Sequence, residues 1–376
     1  MSDKAYILAP ETVEVQFKLE PVLVNLDILG DLANLETTSG MNPRLQEIND
    51  SLTPERRQIN KLVFSGLYDA HFNILKDAAR RGMLFADFPS FVDAVAAADA
   101  VLLRDKALEP MCGEEKEEFG PLTPEEALNE DIYLARVEQY YLKWKAEKGY
   151  RFDREFYAEV HRYLRSPQAL KQLIVEHLRF MWETVLAAEW RRVRPMLEES
   201  IEAFQQLDFS GSTALEAVRS VTGRDLGAVW PEWPSLIVFI PQPYIGPYVG
   251  RYEIKELDLV WIMYGARLPE GTKIKSPALS RSELVVRLNA LADDTRLRII
   301  ELLTQHEELC AQDIITLLDL SQSAASRHLR QLTATGYLVE RRREVSKCYS
   351  LNRERFDDTL RAVRRFVRIH KTVGAF

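Results

Sequence analysis

Cysteine is scarce in this chain: there are three in 376 residues, Cys112, Cys310 and Cys348, and no Cys-x-x-Cys pair. A disulfide framework needs more thiols and an oxidising compartment, so a small stapled secreted scaffold is excluded. The six histidines, His71, His161, His177, His306, His328 and His370, form no local ligand set, and no His-Glu-x-x-His segment occurs. A Walker loop, a Gly-x-Ser-x-Gly elbow and a dinucleotide fingerprint after a strand are missing too, which argues against an enzyme. Long apolar runs are lacking. The best, Leu236–Ile240, stops at Pro241, far short of the ~18 residues of a membrane helix. The opening MSDKAYILAPE has neither a basic start followed by an apolar run nor a small-residue cleavage site, so a cytoplasmic protein is expected.

What is present is ordinary globular material, 46% hydrophobic and 28% charged. At ~150 residues per domain the length predicts two domains. The net charge of -8 hides an asymmetry: residues 276–376 hold 17 Lys+Arg against 13 Asp+Glu, and from Leu320 onward there are 13 basic against 5 acidic. Polyanion binding therefore belongs to the C-terminus.

Glu11–Leu19 alternates Val13, Val15, Phe17 and Leu19 with polar residues, the pattern of a half-buried strand. Pro21–Leu35, Thr53–Arg80 and Pro89–Arg104 read as amphipathic helices, each with proline near its first turn. Acidic Gly113–Gly120 reads as a solvated loop. Thr123-Pro124-Glu125-Glu126 has capping-box spacing and predicts a helix to about Lys148. Another runs from Ser166-Pro167 to about Gln206, with a kink expected at Pro195. The β-rich runs Leu236–Ile240 and Leu257–Tyr264 predict a small antiparallel sheet, with the N-terminal strand as a candidate member. Leu268–Pro277 has linker composition.

From Leu291 the chain reads LADDTRLRIIELL, LCAQDIITLLDL, SQSAASRHLRQLTATGYL and VERRREVSKCYSL. Two short helices, Arg296–Thr304 and Cys310–Leu318, are expected to bury Leu297, Ile300, Leu303, Ile314, Leu317 and Leu318 against a third helix capped by Ser321. On a wheel of that third helix, Ser321–Thr335, Ala325, Leu329 and Leu332 share the core side, while Ser323, Ser326, Arg327 and Arg330 fall opposite. Short hydroxyls and guanidinium groups suit a major groove, where Arg pairs bidentately with guanine, and Gln322 stands at the end where base contacts concentrate. Gly336 is a natural stop. Tyr337–Arg342 and Lys347–Leu351 then make a hairpin carrying Arg341, Arg342, Arg343 and Lys347, placed as a wing on phosphates or a minor groove. A solvated charge run is the plainer account of those arginines.

These segments, ADDTRLRIIELL, ELCAQD, LSQSAASRHLRQL and the basic wing, resemble the winged-helix repressors of the ArsR/SmtB type. The resemblance implies a homodimer joined through helices near Ser280–Ala292 and Phe356–Ile369, bound to an imperfect palindrome in double-stranded DNA. Residues 1–277 have no counterpart in the typical family member. Metal sensors of this family carry a Cys-x-Cys pair where this chain has Cys310, Ala311 and Gln312. A second familiar site uses the C-terminal helix, where only Asp357, Asp358 and His370 occur, at unsuitable spacing. One thiolate cannot build a soft-metal site, so neither metal nor cofactor is expected.

Cys310 and Cys348 read as small core residues, a redox pair being the alternative. His328 reads as packing or a phosphate contact. Tyr140, Tyr141, Trp144, Phe180, Trp182, Trp190, Trp230, Trp233 and Trp261 are either ordinary core or the lining of an effector pocket. The expectation is a mainly α, α+β chain. Residues 1–268 form a mostly helical regulatory domain, residues 269–279 a linker, and residues 280–376 a winged helix that binds DNA and dimerises. Its function is that of a repressor whose N-terminal domain senses a small molecule or a partner; the alternative is an enzyme or interaction scaffold tethered to DNA.

Overall fold

The computed structural model describes residues 13–35, 41–112, 119–145, 152–224, 226, 234–245, 248–266, 278–343 and 346–371. The chain is mainly helical, with two small sheets. Strand β1 (Glu14–Phe17) leads into α1 (Pro21–Ala33), whose proline sits in the first turn, where a missing N–H costs nothing. Seven of eight residues from Val22 to Leu29 are buried, so α1 is apolar nearly all round and runs through the centre of the N-terminal body.

Three expected helices are subdivided, each for a local reason. Thr53–Arg80 becomes α3 (Pro54–Lys61), following the unforeseen α2 (Pro43–Ser51), then a π turn over Leu62–Gly66 and α4 (Tyr68–Arg80). Gly66 lies against Val160, where any Cβ would overlap the valine methyl. Pro89–Arg104 becomes α5 (Phe88–Ala97) and α6 (Ala100–Leu108), because Ala98 is extended and Asp99 starts a new helix by accepting from the N–H groups of Val101 and Leu102. The capping pattern at Thr123 forms, with Glu126 Oε2 accepting from the Thr123 N–H at 2.9 Å, but it opens only a 3-10 turn, Glu126–Leu128. Asn129 caps the longer helix, α7 (Glu130–Tyr140). Two helices fill the rest, the unforeseen α8 (Arg154–Leu164) and α9 (Pro167–Met181). A π turn then leads from α9 into α10 (Ala187–Gln205), which contains Pro195. The short α11 (Ala214–Thr222), with a complete capping box between Thr213 and Glu216, follows.

The N-terminal sheet is mixed, not antiparallel as expected. Its order is β1, β2 (Leu236–Gln242), β4 (Leu259–Gly265), β3 (Val249–Ile254). β1 and β4 both run parallel to β2, and only the β3–β4 hairpin is antiparallel. The half-exposed edge strand β3, with Arg251, Tyr252 and Glu253, carries no apolar alternation, yet it reverses the chain and so turns β2 and β4 parallel. Both faces of the sheet are covered. Val238, Ile240, Trp261 and Met263 join the main helical core, while Ile237, Phe239, Val260, Ile262 and Tyr264 pack on Phe204 of α10 and Val218 of α11. Two-sided burial is why these strands read as continuous apolar runs.

Among the described residues of the aromatic set, Trp261 belongs to the main core and Tyr141, Phe180, Trp182 and Trp190 pack against it. Trp182 stacks on Phe88 with ring centroids 5.6 Å apart, the Tyr141 hydroxyl meets Tyr157 at 2.9 Å, and Trp261 is buried in the sheet. Trp230, Trp233 and the Trp144 side chain lie outside the described residues.

The third core belongs to the C-terminal segment alone: Ala290, Ile299, Leu303, Ile314, Leu329, Leu332, Tyr337, Leu338 and Tyr349. It is enclosed by α12 (Ala278–Leu291), α13 (Asp294–Thr304), α14 (Ala311–Leu318), α15 (Gln322–Ala334), a three-stranded sheet and α16 (Arg353–Lys371). Residues 269–277 of the expected linker lie outside the described residues, and α12 begins at its last two positions.

Candidate nucleic-acid interface

Asp293 caps α13 by accepting from the Arg296 N–H at 3.0 Å. Arg296 then turns inward, donating through Nε to Ala290 O at 2.6 Å and through Nη2 to Asn289 O at 2.7 Å, and so satisfies the carbonyl end of α12. This arginine takes a place the sequence assigned to leucine. Ile299 and Leu303 bury, whereas Leu297 is 50% exposed, contrary to expectation. On α14 the inward stripe is Ile314 with Leu318 half-buried, and Leu317 is likewise outside, 56% exposed. The stripe follows i, i+4 spacing, and Leu297 and Leu317 fall off it.

Asp319, in the left-handed region at φ 52°, makes the turn from α14 to α15. Ser321 accepts from the Ala324 N–H at 3.2 Å and starts α15. Ala325, Leu329 and Leu332 are buried as the wheel requires, and so are His328 and Gln331. The opposite face presents Gln322, Ser323 and Arg327 exposed, with Ser326 and Arg330 partly so. His328 packs beside Asp293, its Nδ1 3.5 Å from the carboxylate; burial lowers its pKa against the pull of Asp293. It is a packed histidine.

The far end of α15 is held by two arginines. Gly336 closes the helix at φ 80°, and Arg355 of α16, 4% exposed, donates through Nε to Thr335 O at 2.9 Å. Arg224, just after α11 in the N-terminal body, donates through Nη2 to Thr333 O at 3.0 Å. Burial lowers the pKa of Arg224 to about 10, against the pull of Tyr248 and Glu340. Neither arginine has a sequence signature, because an arginine on a helix carbonyl looks like any basic residue. A Cβ at Gly336 would stand 3.0 Å from Arg355 Nε at a backbone conformation that L residues rarely adopt. Gly336→Ala is therefore expected to cost about 1–3 kcal/mol in urea unfolding of the C-terminal segment. An unchanged midpoint would remove Gly336 from the clamp.

The wing is β6 (Leu338–Arg343) and β7 (Ser346–Leu351), with β5 (Leu309–Cys310) on the far side of β7. Register pairs Arg341 with Cys348, Arg342 with Lys347 and Arg343 with Ser346, so the three arginines run along β6 towards the hairpin end. Their side chains lie outside the described residues. Lys347 is not a free cation: its Nζ pairs with Glu340 at 2.7 Å, and Glu340 also accepts from the Tyr349 hydroxyl at 3.3 Å. Cys310 and Cys348, opposite each other on β5 and β7, are joined as a disulfide with Cα atoms 3.7 Å apart, which corrects their reading as separate core residues. No group of three His, Cys, Asp or Glu side chains able to hold a metal ion occurs among the described residues.

The assembled surface is a hydroxyl- and arginine-bearing helix face flanked by a basic hairpin. The comparisons with known proteins fall on the same segment. The model of the bacterial regulatory protein arsR family matches residues 293–339, from the cap of α13 into β6. The arsenical resistance operon repressor of Escherichia coli K12 is 50% identical over 52 residues, covering 14% of this chain and 44% of that protein. The Pseudomonas putida arsenic resistance regulator ArsR1 is 44% identical over 64 residues, 17% of this chain and 50% of that one. A Staphylococcus xylosus arsenical resistance operon repressor is 34% identical over 79 residues, 21% of this chain and 75% of its own length. The chain belongs to the arsR family of bacterial regulatory proteins. It spans about half the length of the Escherichia and Pseudomonas relatives, and the family model covers none of residues 1–292. A solved fragment of a possible transcriptional regulatory protein from Mycobacterium bovis is 26% identical, covering 25% of this chain and 94% of that one, at a TM-score of 0.18. In this arsR-family chain α14 and α15 are the helix-turn-helix pair, and no helix among the described residues is long and apolar enough to cross a membrane.

Proposed function

We propose that the chain is a dimeric, sequence-specific DNA-binding transcriptional repressor whose N-terminal body receives a non-metal signal. The observation that carries the DNA reading is the exposed face of α15, with Gln322, Ser323 and Arg327 outward beside the wing. Hydroxyls accept or donate to base edges and Arg327 can pair with guanine, while the wing arginines neutralise phosphates. Leu288 on α12 and Leu360 on α16, 41% and 57% exposed, support a dimer through those helices, since large apolar side chains there gain from a partner. The Arg224 contact to Thr333 O supports signalling from the N-terminal body, because a movement of that body acts directly on the end of the recognition helix. The test uses the full chain and duplexes selected from a random library. The expected site is an inverted repeat with half-sites about one helical turn apart, bound by two copies. Binding without sequence preference at moderate salt would overturn the reading, and turnover of a substrate by the full chain would favour a tethered enzyme.

The Escherichia and Staphylococcus relatives are arsenical resistance operon repressors, but the residues of this chain do not suit a soft-metal site. Gln312 offers an amide, and Cys310 is bonded to Cys348, which leaves Cys112 as the cysteine outside a disulfide. Micromolar arsenite, zinc or cadmium is accordingly expected to leave the complex of DNA with the disulfide form intact in an anisotropy titration. Stoichiometric metal uptake accompanied by release from DNA would contradict this.

A further inference from the structure

The disulfide sits where the two DNA-facing elements meet. Cys310 is the residue before α14, and Cys348 lies in the wing strand β7. The bond spans a sequence separation of 38, and the loop it closes contains all of α14, α15 and β6. Its two ends differ: Cys348 is fully buried, while Cys310 is partly exposed at the N-terminus of α14, where helix N–H groups favour a thiolate. Such asymmetry suits exchange, with one sulfur that a small reagent can reach and one held beside it to resolve the intermediate.

We infer that Cys310 and Cys348 are a reversible dithiol–disulfide couple, exchanging with low-molecular-weight disulfides, that sets the affinity of the winged helix for DNA. The inference rests on the DNA-binding reading above. In the oxidising direction the Cys310 thiolate attacks one sulfur of a small disulfide RSSR; that S–S bond breaks and one thiolate RS⁻ leaves. The Cys348 thiol, giving up its proton, attacks the Cys310 sulfur of the mixed disulfide and expels the second RS⁻. Two protein thiols lose two electrons, RSSR gains them, and the two leaving thiolates take up the two protons. The resulting cross-link makes wing and helix-turn-helix one unit. A unit already held in its bound arrangement gives up less freedom on docking, so the oxidised form binds more tightly.

The experiment equilibrates the full chain in glutathione buffers of graded oxidised-to-reduced ratio, counts free thiols by alkylation and mass spectrometry, and measures affinity for a library-selected duplex. Expected are three alkylated cysteines in the reduced form and one, Cys112, in the oxidised form. Affinity should be at least about fivefold higher in the oxidised form, the lower end of ordinary coupling between sites. Cys310→Ser and Cys348→Ala should both bind like the reduced form and ignore the buffer, whereas Cys112→Ser keeps the response. The unmodified chain compared in its two states keeps the test valid if a variant fails to fold. A thiol count that never changes overturns the couple. A couple that forms while affinity stays equal overturns the switch. Should neither state bind any duplex, the DNA reading falls with the switch, and the thiol count separately upholds or overturns the couple.

Discussion

Arg327→Ala is expected to lose about 1–3 kcal/mol per half-site on the selected duplex and to relax preference at one base position, while scarcely changing affinity for random DNA. Arg327 stands exposed in the middle of the outward face of α15, with the core side of that helix fixed by Ala325, Leu329 and Leu332. A group so placed reaches base edges, and its loss is felt only where the right base was present. Neutralising Arg342 or Arg343 on β6 should act differently. Cognate and random duplexes should weaken together, and the slope of log affinity against log salt should fall by about one unit per lost phosphate contact in each subunit. Lys347 offers a built-in contrast, because its pairing with Glu340 at 2.7 Å already neutralises it, so Lys347→Gln should shift the slope less. Affinities on both duplexes across a salt series decide the matter. If Arg327→Ala weakened all sequences alike while the wing variants changed the preferred operator, the roles of helix and wing would be reversed.

Helix α15 was the most legible part of the chain because its physics is local. Cap, apolar stripe and stop, namely Ser321, Ala325 with Leu329 and Leu332, and Gly336, all lie within 16 residues. The sheet was least legible: the direction of β2 relative to β4 depends on β3, whose partly exposed Arg251, Tyr252 and Glu253 give no period-2 signal. Helix boundaries failed at Gly66 and Asp99, where the cause is a contact with Val160 in one case and a polar cap inside an apolar run in the other. The disulfide was legible only as a candidate, since Cys310 and Cys348 become neighbours through the pairing of β5 with β7.

Charge counting had a similar weakness. Of the 13 basic residues from Leu320 onward, Arg355 is 4% exposed and spent on a helix carbonyl, and Lys347 is paired. Arg296 and Arg224 do the same work as Arg355 at other carbonyls. The number of cations open to a polyanion is therefore smaller than the composition suggests, and of the 13 five stand on α15 and β6 and seven on α16.

Stability of the N-terminal body is expected to rise by about 1.4 kcal/mol per pH unit as pH falls from about 6.5 to 4.5, and to fall steeply below about pH 4. His71 and His177, 0% and 1% exposed, are held neutral by burial, with folded pKa values of about 3 against an ordinary 6.5. His177 Nε2 is 2.9 Å from Asn60 Oδ1, and Asn60 donates in turn to Leu29 O, so this imidazole sits in the heart of the helical core. Below pH 6.5 the unfolded chain binds protons these histidines refuse, so their contribution is lost as pH falls, at about 1.4 kcal/mol per pH unit each. Three carboxyls oppose them. Burial raises Glu20 and Asp31 to about 7 and holds Asp27 well above the ordinary carboxyl range, so from pH 7 down to about 4 the folded state binds protons the unfolded chain does not. Their contribution grows as pH falls through that window and, three groups against two, outweighs the histidines. Once the unfolded carboxyls are protonated as well, the offset stops growing and the histidines lead the decline, joined by Glu189, whose pKa, against its burial, is lowered by Arg192 and Arg44. Urea unfolding of the full chain at pH 7, 5.5, 4 and 3 tests the shape, and His177→Gln, which keeps a donor for Asn60, should reduce the slope below about pH 4 by roughly half. A steady decline from pH 7 to 5, or an unchanged slope in the variant, would show that acid acts on other groups.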